Sequence, residues 1–223
     1  MTRKQYVDIL QAETAGGNIT DEVRMDYRLM GAMLDIAREK AIVTYVTQKK
    51  VVPAMLYQTT YPQFRSEVQE DNCNTLFPFP SKTIQTDAAF SGIAYIGGED
   101  GKTPYIRSAN QADYANQMQH FLMYAISSKN PVSIYIPEFN MVKINKTPGQ
   151  LPKRIMVTGV FTNPTLIPEY NEQFDDYPIT MEIFTMAKDY LLQIDIRQVL
   201  STVPDDISNS SDDASVAAQA PRK

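Results

Sequence analysis

TDEVRMDYRLMGAMLDIAREKAIVTYV, residues 20–46, is the stretch from which the rest of the chain is read. Val23, Tyr27, Met30, Leu34, Ala37, Ala41 and Tyr45 recur at steps of four and three, the spacing that puts apolar side chains on one face of an α-helix. Leu29, Met33 and Ile36 widen that stripe. Thr20 is placed to cap the first turn through its hydroxyl, and Asp21 and Glu22 set negative charge on the positive end of the helix dipole. The opposite face, Arg24, Arg28, Asp35, Arg38 and Glu39, reads as solvated. The β-branched run Ile42, Val43, Thr44 and Val46 leaves the end of the helix open.

Before it, residues 3–13 carry Tyr6, Val7, Ile9 and Leu10 in a short helix that Gly16 and Gly17 would close. After it, residues 51–82 lose any period and read as ordered loop, with an apolar knot at Phe77, Pro78, Phe79 and Pro80. The period then becomes two. Ile93, Tyr95 and residues 104–107 flank Gly97, Gly98 and the Asp100-Gly101 pair, which predicts a hairpin because glycine accepts positive φ. Residues 133–136 and 141–144 repeat the arrangement around 137–140, and 154–161 predicts a further strand stopped by Asn163-Pro164. Residues 108–127 read as a helix burying Tyr114, Met118, Phe121, Leu122 and Ala125. Pro178 opens a last helix whose buried face is Ile183, Met186, Ala187, Tyr190, Leu191 and Ile194 and which ends near Val203.

These elements predict an α+β fold. A helical layer (long N-terminal helix, central and C-terminal helices) packs with a small antiparallel sheet from the strand-rich region 83–162, all in one unit spanning 1–203. Residues 204–223 are Ser, Asp, Ala and Gln with little to bury, so a disordered polar tail is expected there.

Composition narrows the function classes. A chain of 223 residues with 43% hydrophobic content hides roughly 70% of its unfolded surface on folding and needs no metal or disulfide to stabilise it. Cys73 is the single cysteine, which excludes an internal disulfide and a thiolate metal cluster. No window approaches the roughly 18 apolar residues of a membrane span, and the first residues lack the apolar core of a signal peptide. A cytoplasmic site of synthesis follows, and the glycosylation triplets at Asn18, Asn145 and Asn209 read as chance. The net charge of −5, without a Lys/Arg stripe, argues against a fold that grips nucleic acid. An acidic balance does suit a wall past which DNA slides without sticking.

Three arrangements invite a catalytic reading. GGEDGKT, residues 97–103, ends like a phosphate-binding loop, with Lys102 facing a β-phosphate and Thr103 a magnesium ion. Its spacing fails: Ile96 stands where the first Gly is required, Glu99 and Asp100 are negative where phosphate would sit, and Pro104 disfavours helical geometry at Thr103. His120, the one histidine, would have to serve as base to Cys73, yet it lies in an apolar helical pattern, and nothing near Cys73 lowers a thiol pKa. Asp175 and Asp176 could pair as acid and base or ligate a hard cation, but adjacent acids before Pro178 more simply favour the start of the last helix. No catalytic, cofactor-binding or metal-binding residue is therefore assigned. The 11 Met and 13 Tyr residues suit either a monomer's core or a protein contact.

The layout resembles the ring, or adaptor, proteins of the bacteriophage head–tail junction, above all those of short-tailed crAss-like phages. The resemblance rests on the first helix closed by Gly16 and Gly17, the long helix with Arg28, Leu29, Met30 and Leu34, and Tyr105-Ile106-Arg107-Ser108 before a helix. It continues through Ile134-Tyr135-Ile136 and KRIMVTGVFTNP, residues 153–164. It implies a virion structural protein with no catalysis and no cofactor. Such a protein is a homo-oligomeric, twelvefold ring in the head–tail connector, stacked on the portal protein or on an adjacent ring or tail protein. DNA is only a transiting cargo, no membrane is involved, and assembly occurs in the bacterial host cytoplasm. Which ring is built, and whether the tail docks on a neighbour or only solubilises, stay open. Two competing classes are a soluble cytoplasmic enzyme and a monomeric binding module.

Overall fold

The computed structural model describes residues 1–14, 26–64, 75–86, 92–108, 110–116, 131–145 and 151–193. Helix α1 spans Arg3–Thr14 and helix α2 spans Tyr27–Lys49. The long helix thus begins later than its pattern implied. Asp26 is its cap, accepting the Arg28 N–H at 2.9 Å, because a short side-chain oxygen there satisfies a donor the first turn leaves open, while Thr20, Asp21 and Glu22 lie outside the described residues. The β-branched run does not end it. The helix continues to Lys49, and Lys50 turns left-handed with its N–H on the Val46 carbonyl. The last helix, α3, spans Met181–Gln193 and also starts later than expected: Thr180 accepts from the Ile183 N–H, and Pro178 lies outside the helix.

The expected strands are present: β3 Ile93–Gly98, β5 Val132–Ile136, β6 Met141–Ile144 and β7 Ile155–Gly159. The loop expectation for 51–82 is corrected by two short strands, β1 Gln58–Thr60 and β2 Thr75–Pro78. They find partners far along the chain. Thr59 faces Thr158, their hydroxyls 3.0 Å apart, and Phe77 faces Val142. The strands form two sheets rather than one. One is antiparallel in the order β1-β7-β3, and the other runs β2-β6-β5-β4, where β4 Ile106–Arg107 pairs parallel to β5. The turn after Gly97 is as read, with Gly98 N–H donating to the Thr103 carbonyl and Gly101 at φ +67°, but its arms part beyond the Gly97–Pro104 bridge: β3 pairs with β7 and Ile106–Arg107 with β5. Of the central helix, residues 111–116 are helical with Tyr114 buried, while Met118, Phe121, Leu122 and Ala125 lie outside the described residues.

Two apolar clusters result. Tyr6, Val7 and Leu10 of α1 meet Met30, Leu34, Ala37 and Ala41 of α2 and Ile183, Phe184, Ala187 and Leu191 of α3. Phe77, Ile96, Val142, Ile144, Ile155, Val157 and Phe161 fill the space between the sheets. The first cluster also takes in Leu56, Ile84 and Val160 from the strand-rich region, and Tyr170 packs against both clusters. Pro137–Asn140 reverses the chain between β5 and β6, with Asn140 at φ +52° and Phe139 exposed at the tip.

Candidate functional site: a buried ion network and two outward apolar surfaces

The face of α2 expected to be solvated is partly buried. Arg38 is fully buried and Asp35 nearly so. The register accounts for this, since Arg38 stands four residues after Leu34 and three before Ala41, inside the core stripe. Its guanidinium is held by main chain: Nε donates to the Pro178 carbonyl at 2.8 Å and Nη1 to the Phe161 carbonyl at 2.9 Å. The ring of Tyr177 lies against it, 5.5 Å from centroid to Cζ. Burial pulls the Arg38 pKa down, and nearby Tyr177 and Asp35 oppose that loss of charge.

Asp35 accepts the Tyr177 hydroxyl at 2.6 Å and Arg3 Nη2 at 2.7 Å. Arg3 Nη1 reaches Glu172 at 2.7 Å. Burial works against the charge on Arg3, but the bonds to Asp35 and Glu172 outweigh it and leave its pKa above the ordinary arginine value. Burial also pushes the Tyr177 hydroxyl well above its ordinary value, with Arg38 opposing and Asp35 reinforcing. Gly31 makes room for this network, because the Arg3 guanidinium lies across it. The network joins α1, α2, the end of the β7 segment and the approach to α3. Among the buried side-chain atoms of the network, Arg38 Nη2 is without a hydrogen-bond partner.

Lys102 is exposed, and its N–H closes a turn on Asp100 Oδ1 at 3.0 Å. Glu99, Asp100, Thr103, Tyr105, Leu151 and Pro152 line a shallow cavity of about 420 Å³ beside that turn. Its acids would repel a phosphate. Burial pushes the Tyr105 hydroxyl up to about 12, and Tyr95 and Asp100 add to the shift. Cys73 and His120 lie outside the described residues, as do Asn18 and Asn209. The Asn145 side chain is spent inside the fold, accepting the Val132 N–H at 2.7 Å. Asp175 and Asp176 do not serve the last helix, which starts five residues beyond Asp176. Asp175 instead accepts the Asn171 N–H at 2.7 Å, and Asp176 pairs with the Met1 amino group. Among the described residues, no three His, Cys, Asp or Glu side chains group as a metal site, and no helix is long and apolar enough to cross a membrane.

Among the described residues several large apolar side chains are exposed, Val51, Met55, Phe139 and Leu166 with them, and two places are set apart by a groove or by a fastened loop. On α2, Leu29 and Ile36 were read as part of the core stripe but are about half exposed, whereas Met33 packs against the core. With Glu39, Lys40, Val43, Thr44 and Tyr190, Ile36 borders a groove of about 440 Å³ between α2 and α3, and the Thr44 and Tyr190 hydroxyls in its lining lie 2.9 Å apart. Elsewhere, Phe174 is 80% exposed at the tip of loop 169–176. That loop is fastened by its own bonds: Gln173 N–H to Asn171 Oδ1 at 3.0 Å, Asp175 N–H to the Asn171 carbonyl at 2.8 Å, and Asn171 N–H to Asp175. Sequence reading passed over Phe174. The available signal was a lone aromatic inside EYNEQFDD, where every neighbour is polar or acidic apart from Tyr170. No protein-family model matches the chain, and no curated protein is found to be similar to it.

Proposed function

We propose that this protein is a structural subunit of the phage head–tail connector, forming a closed ring through which DNA passes and acting by subunit packing without catalysis. The observation that carries the reading is the presence of two unlike apolar surfaces on one subunit, the α2 groove and the Phe174 loop. A ring with head-to-tail contacts needs two different, complementary faces, whereas a two-fold dimer needs only one. The acidic balance of the chain, −5 overall, supports it further by keeping transiting DNA from adhering. The resemblance of residues 153–164 and of the helical layout to connector rings supplies the phage context and the portal or adjacent tail proteins as neighbours. The buried network fits the role, since it ties α1, α2, the end of the β7 segment and the approach to α3 into one body.

Electron microscopy tests it on the full chain, alone and co-expressed with the products of its flanking reading frames. Closed rings in either preparation support the reading. A dispersed monomer in both overturns it.

A further inference from the structure

We propose that the Asp100-Gly101 link is a site of spontaneous covalent modification, at which the aspartate closes a succinimide on its own main chain and reopens as isoaspartate. The site is independent of the ring reading and stands whether or not the chain assembles.

Asp100-Gly101 is the one Asp-Gly pair in the sequence, and no Asn-Gly pair occurs. Ring closure brings the backbone nitrogen of the second residue onto the carboxyl carbon of the first, an approach that a β-carbon on the second residue obstructs. Gly101 has none, and its φ of +67° is one that other residues rarely take.

The fold adds two things to the pair. The Asp100 side chain is folded back along its own main chain, because Oδ1 accepts the Lys102 N–H at 3.0 Å. The same oxygen stands 3.0 Å from where a β-carbon on Gly98 would lie. The carboxyl carbon is therefore carried along the 100–101 peptide rather than out into solvent. Residues 99–102 are also exposed, so water reaches the carboxyl and the ring it would form.

One contact opposes closure: Gly101 N–H donates to the Gly98 carbonyl at 2.9 Å. That bond lies across an exposed turn, where backbone bonds open locally at little cost. Asp35 shows the contrary state, nearly buried within α2 and held by Arg3 and Tyr177.

The chemistry needs only water. The Gly101 nitrogen attacks Asp100 Cγ, the N–Cγ bond forms and one Cγ–O bond breaks. The departing oxygen leaves as water with the amide proton and the carboxyl proton. A second water then opens the five-membered ring. Attack at Cγ restores aspartate. Attack at the former main-chain carbonyl of Asp100 leaves the chain running through the side chain, one methylene longer, with the α-carboxylate free. The extra methylene falls inside the turn that Gly98 and Thr103 close, and the free carboxylate is the group an isoaspartyl methyltransferase esterifies.

The test ages the full chain, folded, beside the same chain unfolded in guanidinium chloride. Isoaspartate is read by methyl transfer from labelled S-adenosylmethionine with an isoaspartyl methyltransferase, and is located by electron-transfer fragmentation of the peptides. The folded chain should take up label as it ages, with residue 100 ahead of every other aspartate. Asp100→Glu keeps the charge but would have to close a six-membered ring, and should lose that label. A folded chain that stays unlabelled while the unfolded chain takes label shows that the turn protects the link and overturns the proposal. So does label that survives Asp100→Glu, fragmentation that places the isoaspartate elsewhere, or an absence of label in both chains.

Discussion

Gly31 lies directly beneath the guanidinium of Arg3: a β-carbon at position 31 would stand 2.6 Å from Arg3 Nη2, inside any permitted contact. Alanine is ordinarily the better helix residue, by about 1 kcal/mol. Here that preference is overridden, because Arg3 is pinned by Asp35 and Glu172 and cannot withdraw without breaking buried ion pairs. Gly31→Ala should lower stability in chemical denaturation. In an Arg3→Ala background the same change should raise it by about 0.5–1 kcal/mol. A double-mutant cycle without that change of sign refutes the close approach as the reason for the glycine.

Arg38 is a second position where burial and hydrogen bonding fix the residue. Arg38→Met keeps the bulk but leaves the Phe161 and Pro178 carbonyls without their donor, in a site that is fully buried. A loss of about 3 kcal/mol is expected, read as a shift in the urea midpoint with unchanged slope. Arg38→Lys should recover little of it, because one ammonium cannot serve two carbonyls in the fixed plane of a guanidinium.

Alkaline stability follows from Tyr177. Its hydroxyl is held protonated in the folded chain well above the ordinary tyrosine value, so the unfolded chain loses that proton first, near pH 10. The contribution is whole below pH 10 and is lost as pH rises from there towards the folded pKa. Tyr105, pushed up to about 12, acts in the same direction. Denaturation at pH 9, 10 and 11 should show stability falling with pH. Tyr177→Phe should make that fall shallower while costing about 1–2 kcal/mol at pH 7 for the lost bond to Asp35.

At the turn that imitates a phosphate loop, millimolar magnesium-nucleotide should leave the melting temperature unchanged, and Lys102→Ala should alter stability by no more than about 0.5 kcal/mol. Gly97 is the sensitive position, since a β-carbon there meets the Thr103 carbonyl at 2.5 Å. A nucleotide-dependent shift abolished by Lys102→Ala would restore the enzyme reading.

What the sequence disclosed follows how local each signal was. Helix α1, the core stripe from Met30 to Ala41, the turn at 137–140 and strand β7 were legible because their periods and turn residues lie within a few positions of one another. Strand β1 was not, for three residues cannot display a period, and its partner Thr158 is 99 positions away. Leu29 and Ile36 were drawn into the core by hydrophobicity alone, while Asp35 and Arg38 were sent to solvent by charge alone. Helical spacing from Leu34 and Ala41 already put Arg38 inside, and a charge can stay there only when carbonyls and a neighbouring acid meet it. Phe174 escaped notice because an isolated aromatic has no pattern to join.

The grip of Arg38 on two carbonyls also makes the joint between the layers blind to side-chain identity at its far side. A backbone oxygen is the same whatever residue supplies it, so positions 161 and 178 answer to their own packing and not to the arginine. A shear of the helices against the sheets would have to pull a cation off both carbonyls at once. The joint therefore ties helix α2 to two separate stretches of main chain at once, and neither slides past it alone.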